Sequence, residues 1–262
     1  MAEGGRPCVP LRIALGEYDT GWLDPSASLR RAASIVAAAS SAGARLVVLP
    51  EACVTGWTME PARWAEDPDG PSAMVLAGLA RTHGVHVLVG LLTRADGGFY
   101  NSAVLFGSDG GRRGEYRKQK LFAHGGEDAV YRPGGSAAVF EIGGVRVAAF
   151  ICYDLRFPEL FRAVAQRSDV MVVIANWPAV RRAHWDVLLQ ARAIENQCYV
   201  VGVNRVGEGG GARYDGGSVA YGPWGERLVR ATENGRPAIA EADAAWVAGI
   251  RDEFPFLHSV PE

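Results

Sequence analysis

Three polar side chains stand where apolar segments of the sequence end, and their types suit acyl-transfer chemistry. Glu51 closes "ARLVVLPE", Cys152 closes "VRVAAFIC", and Lys118 lies in the basic segment "EYRKQKLF". A thiol with a pKa of about 8.5 is mostly protonated at neutral pH, but a nearby ammonium lowers that pKa and a carboxylate can take the proton during attack. Brought together, these groups could form a cysteine nucleophile with its own base and cation.

Each of these three residues also has an ordinary structural interpretation. A glutamate at a strand end is often a helix cap or an ion-pair partner, a lone cysteine is usually a small buried apolar residue, and a lysine in a basic run is usually solvated. Spacing alone therefore leaves both interpretations open. Their position favours chemistry, because ligands of open α/β sheets gather beyond the carboxyl ends of strands.

The segments that must position these residues alternate between strand and helix patterns. Continuous apolar runs predict strands at 11–17, 44–51, 85–94, 143–154, 168–177 and 198–207. Apolar residues at helical spacing predict helices at 26–43, 71–84, 157–167 and 181–197. The first helix is expected to be capped by Ser26 or Ser28 and ended by Gly43.

Buried strands separated by helices indicate an α/β fold whose sheets are covered on at least one face. Two strand-turn-strand patterns, at 99–119 and 216–231, make the sheets mixed. The glycine-rich stretch 207–217, "GEGGGARYDGG", predicts a loop and not a phosphate site, since no helix follows it. We expect residues 1–262 to form a single domain.

Charge and composition argue against several kinds of partner. The formal charge is −2, from 27 basic and 29 acidic residues, so no overall field recruits nucleic acid or an anionic membrane. Neither a run of 18 apolar residues nor the apolar core of a signal peptide is found. The sequence therefore predicts a cytoplasmic protein without a membrane or nucleic-acid partner.

Cysteine and histidine usage predicts neither disulfides nor a metal site. Cys8, Cys53, Cys152 and Cys198 are too few and too scattered for a disulfide framework, and the cysteines other than Cys152 have no motif of their own. The five histidines form no convincing ligand set, so we expect no metal and no cofactor. His184 is expected to pack or hydrogen-bond on its own helix.

The order of short motifs along the chain is more specific than any single residue. "LPE" and "TGW" are followed by "YRKQKLF", "ICYDLRFPELFR", "ANWP", "ARAIEN" and "VGVNRVG". From about residue 11 to about residue 242 this order resembles the nitrilase, or carbon-nitrogen hydrolase, superfamily, and it is most similar to the bacterial omega-amidase branch. The resemblance implies a four-layer α-β-β-α sandwich with mixed sheets, a hydrolase of carbon-nitrogen bonds, and subunits that pair through their sheet-covering helices.

On that resemblance, Glu51, Lys118 and Cys152 match the catalytic set of the family. Glu127, in "HGGEDAVYRPGG", matches a second acidic residue beside the nucleophile, although an ordinary loop carboxylate is the alternative. Attack on an amide places negative charge on its oxygen, which Lys118 and the backbone N–H of Tyr153 could stabilise. Glu51 would protonate departing ammonia and then activate the water that hydrolyses the thioester.

Two lysines, Lys118 and Lys120, are candidates for the catalytic lysine. Relatives commonly carry a histidine two residues after the catalytic lysine, whereas Lys120 fills that place here. Both lysines would project to the same side of a strand, so spacing does not separate them. The motif favours Lys118.

Other side chains near the predicted strand ends are candidates for substrate binding. They are Trp57, Phe122, Tyr153, Arg156, Asn176, Trp177 and Arg181. The aromatic members could equally be core residues, and only the family motifs favour a pocket. An omega-amidase substrate is a short dicarboxylic acid monoamide of the 2-oxoglutaramate or 2-oxosuccinamate type. Arg156 or Arg181 would hold its distal carboxylate, unless that arginine is part of a structural ion pair.

Arg192 and Glu195 have a structural interpretation. They lie three residues apart on a helix pattern and are expected to pair at the helix surface or at an interface.

Two alternatives to an omega-amidase remain at this stage. Another carbon-nitrogen hydrolase, acting on an N-carbamoyl amino acid, a deaminated glutathione-like amide or a nitrile, would use the same three residues. A catalytically silent binding subunit would be expected to lose at least one of them. The preferred prediction is an enzyme that binds a small-molecule amide and forms a homodimer or a higher homo-oligomer.

Overall fold

The apolar segments form two six-stranded sheets and one separate hairpin in the computed structural model, which describes residues 9–231 and 236–259. The strands are β1 (Leu11–Leu15), β2 (Leu46–Val48), β3 (His86–Ala95), β4 (Gly98–Phe106), β5 (Arg112–Arg117), β6 (Val139–Ile142), β7 (Val145–Ile151), β8 (Val170–Ala175), β9 (Tyr199–Asn204), β10 (Val206–Gly209), β11 (Ala212–Asp215), β12 (Val219–Tyr221), β13 (Arg227–Arg230) and β14 (Ala238–Ala242).

Helices lie between these strands, and they are mostly short. They are α1 (Pro25–Ser41), α2 (Pro61–Trp64), α3 (Pro71–His83), α4 (Glu127–Val130), α5 (Pro158–Arg162), α6 (Arg182–Asn196) and α7 (Ala244–Glu253). Within residues 9–231 and 236–259, no helix is both long and apolar enough to cross a bilayer.

Each large sheet has a parallel centre and antiparallel edges. The first sheet has the order β14-β1-β2-β3-β4-β5, in which β1, β2 and β3 are parallel. The second has the order β13-β12-β9-β8-β7-β6, in which β7, β8 and β9 are parallel. The carboxyl ends of parallel strands are where sheets of this kind place their ligands.

Successive side chains of a strand point to opposite faces of its sheet, and the cluster in which each packs shows which layer covers that face. In β1, Ile13 and Leu15 pack in one cluster with strands of the second sheet, while Ala14 packs in another with helices α1 and α3. This period of two is what a strand buried on both faces requires. Helix α6 covers the far side of the second sheet, so the predicted α-β-β-α sandwich with mixed sheets is confirmed.

Helix α1 begins one residue earlier than predicted and has a different cap. The carboxylate of Asp24 accepts the N–H of Ala27 at 3.0 Å, and Pro25 follows at the first helical position. Proline is well suited there because its missing N–H would have no partner. The caps predicted at Ser26 or Ser28 are therefore wrong, whereas Gly43, with φ of +82°, follows the helix end as expected.

The glycine-rich stretch is a hairpin and not a loop. Strands β10 and β11 pair antiparallel and form a small sheet of their own. Gly210 and Gly211 connect them with φ values of +58° and +75°, the conformation that a two-residue hairpin turn demands. The predicted loop at 207–217 is wrong because its glycines mark a tight turn.

Candidate active site

Glu51 lies three residues beyond strand β2, in a turn that packs against strand β3. The N–H of Gly90 donates to the carbonyl of Pro50 at 3.2 Å, and the carbonyl of Gly90 accepts the N–H of Cys53 at 2.8 Å. A Cβ atom at residue 90 would lie 2.5 Å from both the Cα of Glu51 and the carbonyl oxygen of Pro50. Only glycine lets the two backbones approach this closely.

Replacing Gly90 by alanine is therefore expected to displace Glu51. We expect a loss of about 1 to 3 kcal/mol of unfolding free energy from overpacking, with a fall of at least tenfold in amide hydrolysis. Gly78→Ala is the matched control, because a Cβ at that helical position meets no atom within 4 Å and should leave activity unchanged. Denaturant titration and ammonia release measure both effects, and full activity in Gly90→Ala would contradict this account of Glu51.

Lys118, and not Lys120, reaches the carboxylates. Strand β5 ends at Arg117, and the next N–H, that of Lys118, donates to the carbonyl of Asn101 at 2.8 Å. Lys120 lies beyond the strand, with 36% of its side chain exposed and its ammonium 3.4 Å from Glu159. The expectation that both lysines face the same way is wrong, because the strand ends before either of them.

The Lys118 ammonium lies between two buried carboxylates. Its Nζ atom is 3.1 Å from Oε1 of Glu51 and 3.0 and 2.9 Å from Oε1 and Oε2 of Glu127. The three side chains are at most 1% exposed. Isolated charges would be very costly at such burial, so the three groups depend on one another.

Burial and charge pairing shift the pKa values of Lys118 and Glu127 in opposite directions, and charge pairing, together with hydrogen bonds, has the larger effect. Burial favours a neutral amine, but the carboxylates of Glu127 and Glu51 outweigh it and raise the pKa of Lys118. Burial likewise opposes a charged Glu127, but Lys118, the N–H of Phe122 and the Asn101 amide together lower the pKa of Glu127. Lys118 is a permanent cation and Glu127 a permanent anion at neutral pH.

Cys152 follows the last residue of strand β7 and has a backbone conformation that few non-glycine residues adopt. Its φ is +46°, and it begins a 3₁₀ turn that runs to Arg156. Its Sγ atom lies 3.9 Å from the carbonyl oxygen of Asn176, at the end of strand β8. A left-handed residue at a strand end costs of order 1 to 3 kcal/mol and is concentrated at functional sites.

The resting state of Cys152 is a thiol. Burial raises its pKa well above the ordinary value, the Glu51 carboxylate raises that pKa further, and Lys118 only partly opposes them. Lys118 lowers this pKa, as expected, but burial and the carboxylates of Glu51 and Glu127 outweigh it, because a thiolate would add negative charge beside two carboxylates that share a single ammonium. Nucleophilic attack by this sulfur would require loss of its proton, and the Glu51 carboxylate lies beside it.

The other described cysteines are inert core residues. Cys53 and Cys198 are fully buried, and burial raises the pKa of each thiol to about 12. Cys8 lies outside the described residues. Within residues 9–231 and 236–259, no three His, Cys, Asp or Glu side chains are grouped so that they could hold a metal ion.

Two buried polar residues that the sequence reasoning missed hold the cluster together. The first is Asp154, whose carboxylate accepts the N–H groups of Ile151 and Lys120 at 2.9 Å and the hydroxyl of Tyr116 at 2.8 Å. These bonds join the 3₁₀ turn Cys152–Arg156, called the nucleophile turn below, to the segment 116–120 that contains Lys118. Burial raises the pKa of Asp154 to about 6, although its donors favour the ionised form. The second is Asn101, which contacts both glutamates.

A cavity of about 480 Å³ opens above the cluster. Ten of the eleven residues predicted for the site line it, namely Glu51, Trp57, Lys118, Phe122, Cys152, Tyr153, Arg156, Asn176, Trp177 and Arg181. The remaining one, Glu127, does not line the cavity and is bonded to the Lys118 ammonium. The sequence reasoning did not foresee residues 178–180 or the hairpin segment 210–214, which complete the lining.

Asn176 supports Glu51 as well as lining the cavity. Its backbone N–H donates to Oε2 of Glu51 at 2.7 Å, and its side-chain amide donates to the carbonyl of Glu51 at 2.6 Å. These bonds cross between the two large sheets. The residue predicted to bind substrate therefore fixes the orientation of the base.

Arg156 and Arg181 line the cavity, and neither forms an ion pair with a carboxylate in the described part of the chain. Arg156 lies over the Trp177 ring at 4.8 Å, with one nitrogen 3.2 Å from Nδ1 of His184. His184 was expected to pack or hydrogen-bond on its own helix, but its Nδ1 atom contacts Arg156, which lies outside that helix. Arg181 lies 5.6 Å from the centre of the Phe122 ring.

The predicted pair of Arg192 and Glu195 forms at 3.0 Å, but it is not a surface pair. Arg192 is 4% exposed, and its guanidinium also donates to the carbonyl of Leu155 at 2.8 Å. Because Leu155 belongs to the nucleophile turn, this arginine fastens helix α6 to that turn.

The comparison with known proteins covers nearly the whole chain. A family model described as carbon-nitrogen hydrolase matches residues 12–252. The chain belongs to the carbon-nitrogen hydrolase family. A 2-oxoglutaramate amidase of Bacillus subtilis is 33% identical to this carbon-nitrogen hydrolase, over 95% of this chain and 96% of that protein. Omega-amidase YafV of Escherichia coli strain K12 is 34% identical, over 96% and 97% of the two chains.

Solved structures agree with this assignment. A carbon-nitrogen hydrolase superfamily protein from Xanthomonas campestris, crystallised with an arsenic adduct in its active site, has a TM-score of 0.90 and 32% identity, over 97% of this chain and 98% of that chain. An amidase from Nesterenkonia has a TM-score of 0.83 and 28% identity, over 95% and 97%. The family predicted from the motifs is confirmed, and this carbon-nitrogen hydrolase acts on amides.

Proposed function

We propose that this carbon-nitrogen hydrolase is an omega-amidase, which converts the terminal amide of a small dicarboxylic acid monoamide, of the 2-oxoglutaramate or 2-oxosuccinamate type, to the acid and ammonia. One observation carries the proposal. The cavity places Cys152, Glu51 and Lys118 together with two arginines, Arg156 and Arg181, that have no carboxylate partner among the described residues. The names of the two amidase relatives point to the same substrate class.

The acylation half of the reaction follows from the cluster. Glu51 takes the proton of Cys152 as Sγ attacks the amide carbon, and the oxyanion is stabilised by Lys118 and the N–H of Tyr153. Tyr153 lies in the first turn of the 3₁₀ segment, where N–H groups have no acceptor within the helix. Glu51 returns the proton to the nitrogen as the carbon-nitrogen bond breaks, which releases ammonia and leaves a thioester on Cys152.

The hydrolytic half reuses the same groups. A water molecule enters where ammonia left, and Glu51 removes one of its protons as the oxygen attacks the thioester carbon. The carbon-sulfur bond then breaks, the acid departs, and Glu51 returns the proton to the sulfur. Glu127 cannot replace Glu51 in this role, because its carboxylate is held in its anionic form by Lys118 and three further donors.

Recognition of the distal carboxylate requires a cation. The cavity wall contains Trp57, Phe122 and Trp177, and an unpaired carboxylate that left water among such rings would lose several kcal/mol of solvation. A guanidinium can bind both carboxylate oxygens. Arg156 is preferred over Arg181 because it is part of the turn that Cys152 begins, which keeps it near the reacting carbon.

The test is the response of charged and uncharged amides to loss of each arginine. Arg156→Met is expected to raise KM for 2-oxoglutaramate by about ten- to several hundred-fold, while hydrolysis of an uncharged short amide changes little. Arg181→Met is the competing variant, and Arg30→Met, on the exposed face of helix α1, is the control. Equal losses of activity on the charged and the uncharged amide would mean that the replaced arginine supports the fold. If neither arginine variant distinguishes the two amides, the omega-amidase proposal is wrong.

We also propose that the enzyme works in the cytoplasm, where its thiol stays reduced. Its subunits are proposed to pair through helix α6. Val187 and Ile194 lie two helical turns apart on one face of α6 and are 64% and 50% exposed. Nearby, Ile194 contacts Gly225, next to the 46% exposed Trp224. Exposed apolar side chains on one face support an interface there. Sedimentation equilibrium should give the mass of a dimer or a larger assembly, and a monomer mass throughout would contradict this pairing.

A further inference from the structure

Asn101 is a buried amide that the reaction steps above do not use. It lies on strand β4 between β3 and β5, is 0% exposed and does not line the cavity. Its backbone carbonyl accepts the N–H of Lys118 at 2.8 Å. Its side-chain nitrogen Nδ2 donates to Oε1 of Glu51 at 2.8 Å and to Oε1 of Glu127 at 3.0 Å.

The orientation of this amide is determined by charge. Ionised carboxylates only accept hydrogen bonds, so the Nδ2 atom must face them and its two hydrogens are divided between Glu51 and Glu127. Lys118 donates to the same two Oε1 atoms, at 3.1 and 3.0 Å. Asn101 and Lys118 therefore bridge the two glutamates as a pair of donors.

Counting donors separates the roles of the two glutamates. Each carboxylate oxygen has about two acceptor sites. In Glu127, Oε1 accepts from Lys118, Asn101 and Trp57, and Oε2 accepts from Lys118 and Phe122. Both oxygens of Glu127 are filled by donors of the described residues.

Glu51 has room at one oxygen only. Its Oε1 is filled by Asn101 and Lys118. Its Oε2 accepts the N–H of Asn176 at 2.7 Å, and the Asn176 side-chain amide lies at 3.5 Å, the outer limit of a hydrogen bond. The second acceptor site of Oε2 is thus the one that can exchange a proton.

We propose that Asn101 is a positioning residue, which fills Oε1 of Glu51 and so assigns all proton transfers of the reaction to Oε2. The proposal rests on the proposed function for its substrate. Without the amide, Oε1 of Glu51 loses one of its two donors, whereas Oε1 of Glu127 keeps Lys118 and Trp57. The Glu51 carboxylate then loses one of the donors that fix its orientation.

The test compares Asn101→Ala and Asn101→Ser with Ser102→Ala. Ser102 is the next residue on β4, is equally buried, and bonds to Thr93 and Glu115 instead of the cluster. Asn101→Ala should lower kcat for amide hydrolysis by about 10- to 100-fold, the range typical of residues that orient catalytic ligands, with KM nearly unchanged. Asn101→Ser retains a single donor and should lie between that variant and the wild type, while Ser102→Ala should keep wild-type kcat.

A second readout is independent of the substrate. The rate at which iodoacetamide alkylates Cys152 depends on proton removal from the thiol, and it should fall at least tenfold in Asn101→Ala. If the wild type releases no ammonia from any dicarboxylic acid monoamide, the proposed function fails, and the alkylation rates still decide the role of Asn101. Unchanged or faster alkylation, a loss confined to KM, equal losses in Ser102→Ala, or failure of both Asn101 variants to fold would overturn the proposal.

Discussion

Replacing Cys152 by alanine is expected to lower amide hydrolysis by at least about 10⁴-fold, because the variant lacks the nucleophile of the proposed mechanism. The unfolding free energy should change little, since Cys152 lines the cavity and loss of its sulfur leaves no enclosed void in the core. Ammonia release under single-turnover conditions, together with a denaturant titration, measures both quantities. Full activity in Cys152→Ala would contradict the mechanism.

The two buried cysteines provide matched controls for this experiment. Cys53 and Cys198 are 0% exposed and do not line the cavity. Cys53→Ala and Cys198→Ala should lose some stability through small cavities in the core and keep most of their activity. A loss of turnover in either control as large as that in Cys152→Ala would move the nucleophile away from residue 152.

Replacing Lys118 by alanine should affect both catalysis and folding. Turnover is expected to fall by at least about 10³-fold, because the oxyanion loses its cation. The unfolding free energy is expected to fall by about 3 to 5 kcal/mol, because Glu51 and Glu127 would remain buried without their shared ammonium. Initial rates and denaturant titration at the same pH measure the two losses.

Lys120→Ala is the control for the lysine assignment. Its side chain is partly exposed, forms a 3.4 Å ion pair with Glu159 and lies 4.7 Å from the centre of the Phe157 ring. Exposed pairs of this kind contribute at most about 1 kcal/mol, so activity and stability should stay near those of the wild type. The reverse ranking of the two lysines would shift the catalytic assignment by two residues.

The layers of the fold could be predicted because they follow local patterns. The alternation of β1 and the continuous apolar runs of β7, β8 and β9 mark buried strands wherever they occur. The hairpin at Gly210 and Gly211 was missed because two short, half-exposed strands carry little apolar signal. Its glycines indicate a turn, but only tertiary contacts show that this turn covers a cavity.

Which side chains meet at the cavity could also be predicted from sequence, whereas their electrostatics could not. Motif order brought together Glu51, Lys118 and Cys152, but the direction of the Cys152 pKa depends on burial and on two nearby carboxylates. Asn101 and Asp154 resemble ordinary polar residues in "FYNSAVLF" and "CYDLRFP". Their roles arise from contacts across 26 to 50 residues of sequence, which no local pattern contains.

Mass spectrometry tests the proposed covalent step directly. The enzyme is mixed with 2-oxoglutaramate, quenched in acid within one turnover and digested with trypsin, which releases residues 147–156 as one peptide. The mechanism predicts that this peptide carries the acyl group of the substrate on Cys152 and that the adduct decays as free acid is formed. Ammonia release with no adduct on Cys152, or with an acyl group on any other residue, would contradict it.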